Sequence, residues 1–234
     1  MAAEARVVMI TGAAGNLGRA VAHAFAAGGD RLVLVGQHRD RLVTAFGDDA
    51  PTQLLVAADL LQQEQAQQAV QAAIDRFGRL DVLCNLAGGF RMGEAVHETS
   101  DATWNFMFDL NARTLLHAVR AAVPRMLARG GGKVVNIGAF GALRGGAQMG
   151  AYAASKSAVI RLTEAMSAEL RERGINVNCV LPTVIDTPEN RAAMPRADPA
   201  KWVAPDDLAA VVRFLASDAA RAIHGAALPV TGLS

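Results

Sequence analysis

The chain has 234 residues, 52% of them hydrophobic but only 5% aromatic, a length that suits one α/β domain burying about three quarters of its unfolded surface. With 23 basic residues against 22 acidic ones, the net charge of +1 leaves no electrostatic footprint for nucleic acid or for an anionic membrane. Both are excluded as expected partners, and a small-molecule substrate is expected instead.

The N-terminal MAAEARVVMITG has no cationic flank, long apolar core or cleavage-like site, and no run reaches the roughly 18 apolar residues of a spanning helix. A soluble, cytoplasmic protein is expected. Seven short apolar runs then read as strands: ARVVMITG, RLVLVG from Arg31, QLLVAAD from Gln53, DVLCNLAG from Asp81, KVVNIGA from Lys133, INVNCVLP from Ile175 and a terminal AALPVTG. Most are apolar throughout, as strands are when helices cover both faces of a parallel sheet. Between them, QQEQAQQAVQAAIDRFG and DDLAAVVRFLAS carry apolar residues at three- and four-residue spacing and read as amphipathic helices. Strand and helix alternate from end to end, which predicts right-handed βαβ units in a doubly wound, Rossmann-type, seven-stranded parallel sheet, one α/β domain over 1–234. The stretch DTPENRAAMPRADPAKWVAP, residues 186–205, is the exception: its four prolines argue against one regular helix. A segment of that length inside a compact domain is expected to be functional, here as a substrate loop. Cys84 and Cys179 lie in apolar runs and read as buried thiols, and the five histidines show no ligand spacing, so no metal site is expected.

VVMITGAAGNLGRAVAHAFAAGG places Gly12, Gly15 and Gly18 between the first strand and an Ala-rich helix. Glycines there let the backbone approach a pyrophosphate, which the N–H groups of the helix start then meet. A tight strand-to-helix turn needs glycine in any case, but this setting favours a phosphate cradle running through Asn16 and Leu17. Dinucleotide folds place an acidic residue about 20 positions on, to hold the adenosine ribose. Here the second strand ends in Gly36, followed by Gln37, His38 and Arg39. Nothing repels a 2′-phosphate, and His38 or Arg39 would attract one, so NADP(H) is expected over NAD(H). The competing reading makes Arg39 a solvated residue opening the next helix.

Tyr152 and Lys156 stand four apart in YAASKSAVIRLTEAMSAELRERG, so both project from one helix face. A nearby ammonium favours the phenolate and lowers a tyrosine's pKa, which makes the pair an acid/base device. The order TGAAGNLG, Asp59 after the third strand, NLAG at Asn85, Asn111 in FMFDLNARTLLHAV, YAASK and LPTVIDTP closely resembles the short-chain dehydrogenase/reductase family over essentially the whole chain. The resemblance implies that Asp59 and Leu60 border the adenine, that Asn85, Ala87 and Gly88 line the cofactor, and that Asn111 anchors a water of the proton relay. It also implies that Tyr152 is the acid/base, that Lys156 holds the nicotinamide ribose, and that Pro182, Ile185 and Thr187 contact the nicotinamide end. The helices beginning near Asn111 and Tyr152 resemble those through which members form homodimers and homotetramers.

The family's catalytic serine falls thirteen residues before the tyrosine, where this chain has Ala139. Ser155, on the other side of the tyrosine, is expected to point away from the pair. Losing one preorganised donor costs about 10²- to 10³-fold in rate, and an electron-poor quinonoid or dihydropterin-like acceptor needs that donor least. Dihydropteridine reductases, members without the serine, have a segment similar to the one here at Asp186, Thr187, Pro188, Asn190, Arg191, Met194, Pro195, Ala197, Asp198 and Trp202. A ketone or alcohol dehydrogenase in which Gln148 or a water replaces the serine is the alternative, and a non-catalytic dinucleotide-binding protein is the reading from another class. Ala139, Phe140, Gln148, Met194 and Trp202 are the candidate substrate wall.

Overall fold

The seven apolar runs become seven strands in the computed structural model, which describes residues 5–234; the first four residues of the N-terminal stretch lie outside the described residues. The strands are β1 (Val7–Thr11), β2 (Arg31–Gly36), β3 (Gln53–Ala57), β4 (Val82–Asn85), β5 (Gly132–Ile137), β6 (Ile175–Pro182) and β7 (Ala227–Val230). All pair in parallel, in the order β3-β2-β1-β4-β5-β6-β7.

Successive strand residues point to opposite faces, and both faces here are apolar. Val7 and Met9 of β1 join Leu83 and Val134 in a core closed by α3 (Gln63–Phe77), α5 (Thr114–Arg129) and α6 (Gly150–Leu170). Val8 and Ile10 join Leu34 and Val135 in a second core under α1 (Asn16–Ala27), α2 (Arg39–Phe46) and α8 (Pro205–Leu215). Strand order reverses between β1, which pairs with β2 on one side, and β4 on the other. Open parallel sheets bind ligands beyond the carboxyl ends of their strands at such a reversal.

The proline-rich stretch divides as its prolines dictate. Thr187 caps a short α7 (Pro188–Ala193) through the Asn190 N–H, 3.2 Å away, and Asp198 caps a single 3-10 turn, Pro199–Lys201. Pro188, Pro199 and Pro205 each open a helical segment, where a missing N–H costs nothing. The remaining helix, α4 (Asp101–Phe108), starts at the Ser100 cap. No helix among the described residues is long and apolar enough to cross a membrane, and no cluster of three or more His, Cys, Asp or Glu is placed to hold a metal ion.

Candidate active site

A cleft of about 810 Å³ opens at the carboxyl ends of β1, β2 and β4. Its floor is the glycine turn. Gly12 has φ +64°, and a Cβ there would lie 2.9 Å from the Ala87 backbone; a Cβ on Gly18 would lie 2.4 Å from the Gly12 carbonyl oxygen. Backbone alone fits in that space, and the α1 N–H groups beyond it face the cleft, so the residues present suit a pyrophosphate. Gly15, Asn16, Leu17, Asp59, Leu60, Ala87, Gly88, Ile185 and Thr187 all line the same cleft.

At the adenosine end, His38 reaches the wall but Arg39 does not. Arg39 donates to the Leu55 carbonyl at 2.9 Å and to Asp49 at 2.7 Å, and Arg41 lines the cleft instead. The sequence had no means of distinguishing two arginines two residues apart on a starting helix. Asn85 is likewise displaced from the expected role. It is buried, and its amide donates to Asn136 Oδ1 at 2.9 Å, while Asn136 donates to Thr163 at 2.8 Å, a polar tie between β4, β5 and α6. Asn85 Oδ1 finds no partner among the described residues. Pro182 is buried in β6, paired with Val230, and does not line the cleft.

The cleft ends at Gly88, whose missing side chain leaves room for the chemical groups behind it. A Cβ there would stand 2.9 Å from Asn111 Oδ1 and 3.1 Å from Lys156 Nζ. Asn111 sits in a five-residue π-helical turn, Asp109–Arg113, between α4 and α5. Such turns are concentrated at functional sites because they re-aim one side chain. Its Oδ1 accepts from the Gly89 N–H at 2.9 Å, and its Nδ2 donates to the Gly89 carbonyl at 3.1 Å and to Ser155 Oγ at 3.0 Å. Ser155 in turn donates to the Tyr152 carbonyl at 2.8 Å. Ser155, expected to point away from the pair, is buried and clamps Asn111 to the helix that carries the tyrosine.

Lys156 is buried and donates to the Ile137 carbonyl at 2.9 Å. Burial pulls its pKa down to about 8. Burial also pushes Tyr152 up to about 12, with no opposing effect from the lysine. The expectation that the lysine lowers the tyrosine is thus not met: the ammonium is turned to the Ile137 carbonyl, and burial leaves the phenol a protonated acid. The Phe90 ring meets the Tyr152 ring edge to face at 4.7 Å.

Ala139 is buried at the entry to a 3-10 turn, Phe140–Ala142, and Phe140 is exposed. Gln148, at φ +60°, accepts from the Gly93 N–H at 2.9 Å and lines a small pocket with Arg91 and Met149. Met194 is half-buried, and Trp202 is buried with Gly232 against its backbone; neither lines the large cleft. Across the cleft, Asn16 donates to Glu189 of α7 at 2.7 Å. The carboxyl of Glu189 is held below the usual range, first by its own backbone N–H and then by Asn16. Phe90, Phe106 and Glu189 escaped the sequence reading. A signal for Phe90 existed: it lies two residues beyond the strand-end NLAG, where ligands of parallel sheets bind.

The sequence model of a family described as short chain dehydrogenase matches residues 6–197. A D-threitol dehydrogenase of Mycolicibacterium smegmatis is 34% identical, over 98% of this chain and 92% of the relative. A cis-4-hydroxycyclohexanecarboxylate dehydrogenase of Sinomonas cyclohexanicum is 32% identical over 97% and 95%. Among solved structures, a 3-ketoacyl-(acyl-carrier-protein) reductase from Brucella melitensis complexed with NADH superposes with a TM-score of 0.87 at 29% identity, covering 98% of each chain.

Proposed function

The chain belongs to the short-chain dehydrogenase/reductase family of NAD(P)-dependent oxidoreductases, and from that premise we propose that it interconverts a secondary alcohol and its ketone, with Tyr152 as the acid/base. The observation that carries this reading is that Asn111 and Lys156 stand immediately behind Gly88, beside a cleft whose glycines suit a dinucleotide, with Tyr152 one helical turn from the lysine on α6. The bound nicotinamide supplies or accepts the hydride at the carbon. Tyr152 Oη gives its proton to the carbonyl oxygen in reduction and takes the hydroxyl proton in oxidation. Lys156 would hold the ribose of the cofactor, and Asn111, clamped by Ser155, keeps the Gly89 backbone in place.

NADP(H) is proposed over NAD(H): Gly36 supplies no carboxylate at the ribose, and Arg41, with His38 beside it on the cleft wall, supplies a positive charge. Residues 186–205 act as the substrate loop. A cytoplasmic homodimer or homotetramer, joined through the helices that start near Asn111 and Tyr152, completes the reading; Leu116, exposed on α5, supports it. The electron-poor acceptor, quinonoid or dihydropterin-like, rests on Ala139 and the 186–205 likeness, whereas both relatives above are named for alcohols. We therefore place the alcohol/ketone reading first.

Tyr152→Phe tests it. Turnover of secondary alcohols and ketones is expected to fall by about 10²- to 10⁴-fold, with nucleotide affinity, measured by fluorescence titration with NADPH and NADH, unchanged. Retained turnover would remove Tyr152 from the acid/base role.

A further inference from the structure

Around the tyrosine, exposed apolar surface is concentrated in two loops. Phe90 (55% exposed) and Met92 (51%) follow β4, and Phe140 (41%) and Leu143 (49%) follow β5. Both loops leave the carboxyl edge of the sheet, on adjacent strands. The Gly93 N–H donates to the Gln148 carbonyl, which ties the first loop to the segment entering α6 four residues before Tyr152. Phe90 touches the tyrosine itself, at 4.7 Å and an interplanar angle of 84°. The next residue, Arg91, offers its charge not to the mouth but to the Phe106 ring, 4.2 Å below it.

The surroundings of the reactive hydroxyl are thus short of uncommitted hydrogen-bonding groups. Ala139 contributes a methyl group; in the neighbouring pocket Arg91 lies over Phe106, Glu94 is held by Thr103 and the Ser100 N–H, and Thr99 donates to the Ala95 carbonyl, which leaves Gln148 as the uncommitted polar side chain. An open-chain polyol entering here surrenders the hydration of several hydroxyls and recovers few hydrogen bonds, a loss that sites built for hydroxyls avoid. A flat or puckered hydrocarbon ring instead covers exposed Phe90, and aromatic faces and edges favour such contacts.

Resting on the alcohol/ketone reading, we propose that the substrate is a secondary alcohol, or its ketone, whose reacting carbon lies in or beside an alicyclic or aryl ring, and that Phe90 determines this specificity. Phe90 holds the ring against Tyr152, so that the carbinol oxygen meets the phenol while the rest of the substrate lies on Phe140 and Leu143.

The test compares kcat/KM for cyclohexanol and 1-phenylethanol with that for D-threitol and galactitol, using the wild-type enzyme and saturating NADP⁺ or NAD⁺. The ring alcohols are expected to lead by about 10-fold or more, and Phe90→Ala to lower their kcat/KM about 10-fold, mainly through KM, with the polyols little changed. Phe90→Leu, which keeps an apolar contact, should fall between. A polyol preference, or an equal effect of Phe90→Ala on both groups, overturns the proposal. If a nucleotide-binding enzyme oxidises none of the four, the alcohol/ketone reading itself fails, and specificity is then read from melting temperature in the presence of NADP⁺. Stabilisation of wild type, but not of Phe90→Ala, by 1-phenylethanol upholds the role of Phe90; stabilisation by a polyol, or by none of the four, overturns it.

Discussion

Gln148 is the single non-glycine residue with positive φ among the described residues, at +60°. A side chain in the left-handed region costs about 1–2 kcal/mol, which glycine avoids. Gln148→Gly is therefore expected to raise stability by about 0.5–1 kcal/mol, after the greater unfolded-state freedom of glycine is deducted; urea denaturation midpoints measure it, and a destabilised variant would show that the side chain itself is holding the loop. The run GGAQMGAY hides this feature, because a sequence with five small residues around one glutamine does not reveal which of them turns left-handed. The Tyr152–Lys156 pair was legible because helical spacing alone puts both on one face. Its ionisation was not, because the lysine's partner, the Ile137 carbonyl, comes from another element nineteen residues away. The same reason misplaced Asn85 and Arg39: each is claimed by an acceptor, Asn136 or Asp49, that only the folded chain brings near.

Among elements, α7 stands out for carrying a carboxylate to the glycine turn before α1. Glu189 bonds to Asn16 at the start of α1, where the helix N–H groups favour an anion. A bound pyrophosphate would face that carboxylate. Glu189→Gln keeps the hydrogen bond and removes the charge, so dinucleotide affinity is expected to rise about two- to fivefold at low ionic strength and less at high salt; calorimetric titration at two salt concentrations reads both effects, and weaker binding would make the carboxylate a ligand rather than a competitor. The sequence marked 186–205 as irregular from its prolines, and the structure shows why: three of them begin helical segments. The π-helical turn at Asp109–Arg113 left no trace in the sequence, since FMFDLNARTLLHAV keeps helical apolar spacing on both sides of it. A single extra residue in a turn shifts register without changing composition.

At the scale of the whole molecule, the sheet was legible because burial on both faces requires continuous apolar strands, and two complete cores leave little latitude for polar exceptions. Tyr152 and Lys156, both shifted by burial, nevertheless make global stability depend on pH. Lys156, with a folded value of about 8 against 10.5 when unfolded, is held charged at an energetic cost below pH 8; as pH rises from 8 towards 10.5 the folded chain sheds that proton first and stability rises. Tyr152 works in the opposite sense between 10 and about 12, where the unfolded chain ionises first and stability falls. Between pH 8 and 9.5 the lysine should contribute about 1–2 kcal/mol. Denaturation of wild type and Lys156→Met across that range checks this: the mutant's slope should be flatter, and parallel slopes would refute the linkage. Tyr152 is, finally, the only tyrosine in the chain. Any probe specific to that residue type, such as biosynthetic fluorotyrosine observed by fluorine resonance, yields one background-free signal, and that signal reports on the proton-bearing group itself as nucleotide and substrate arrive.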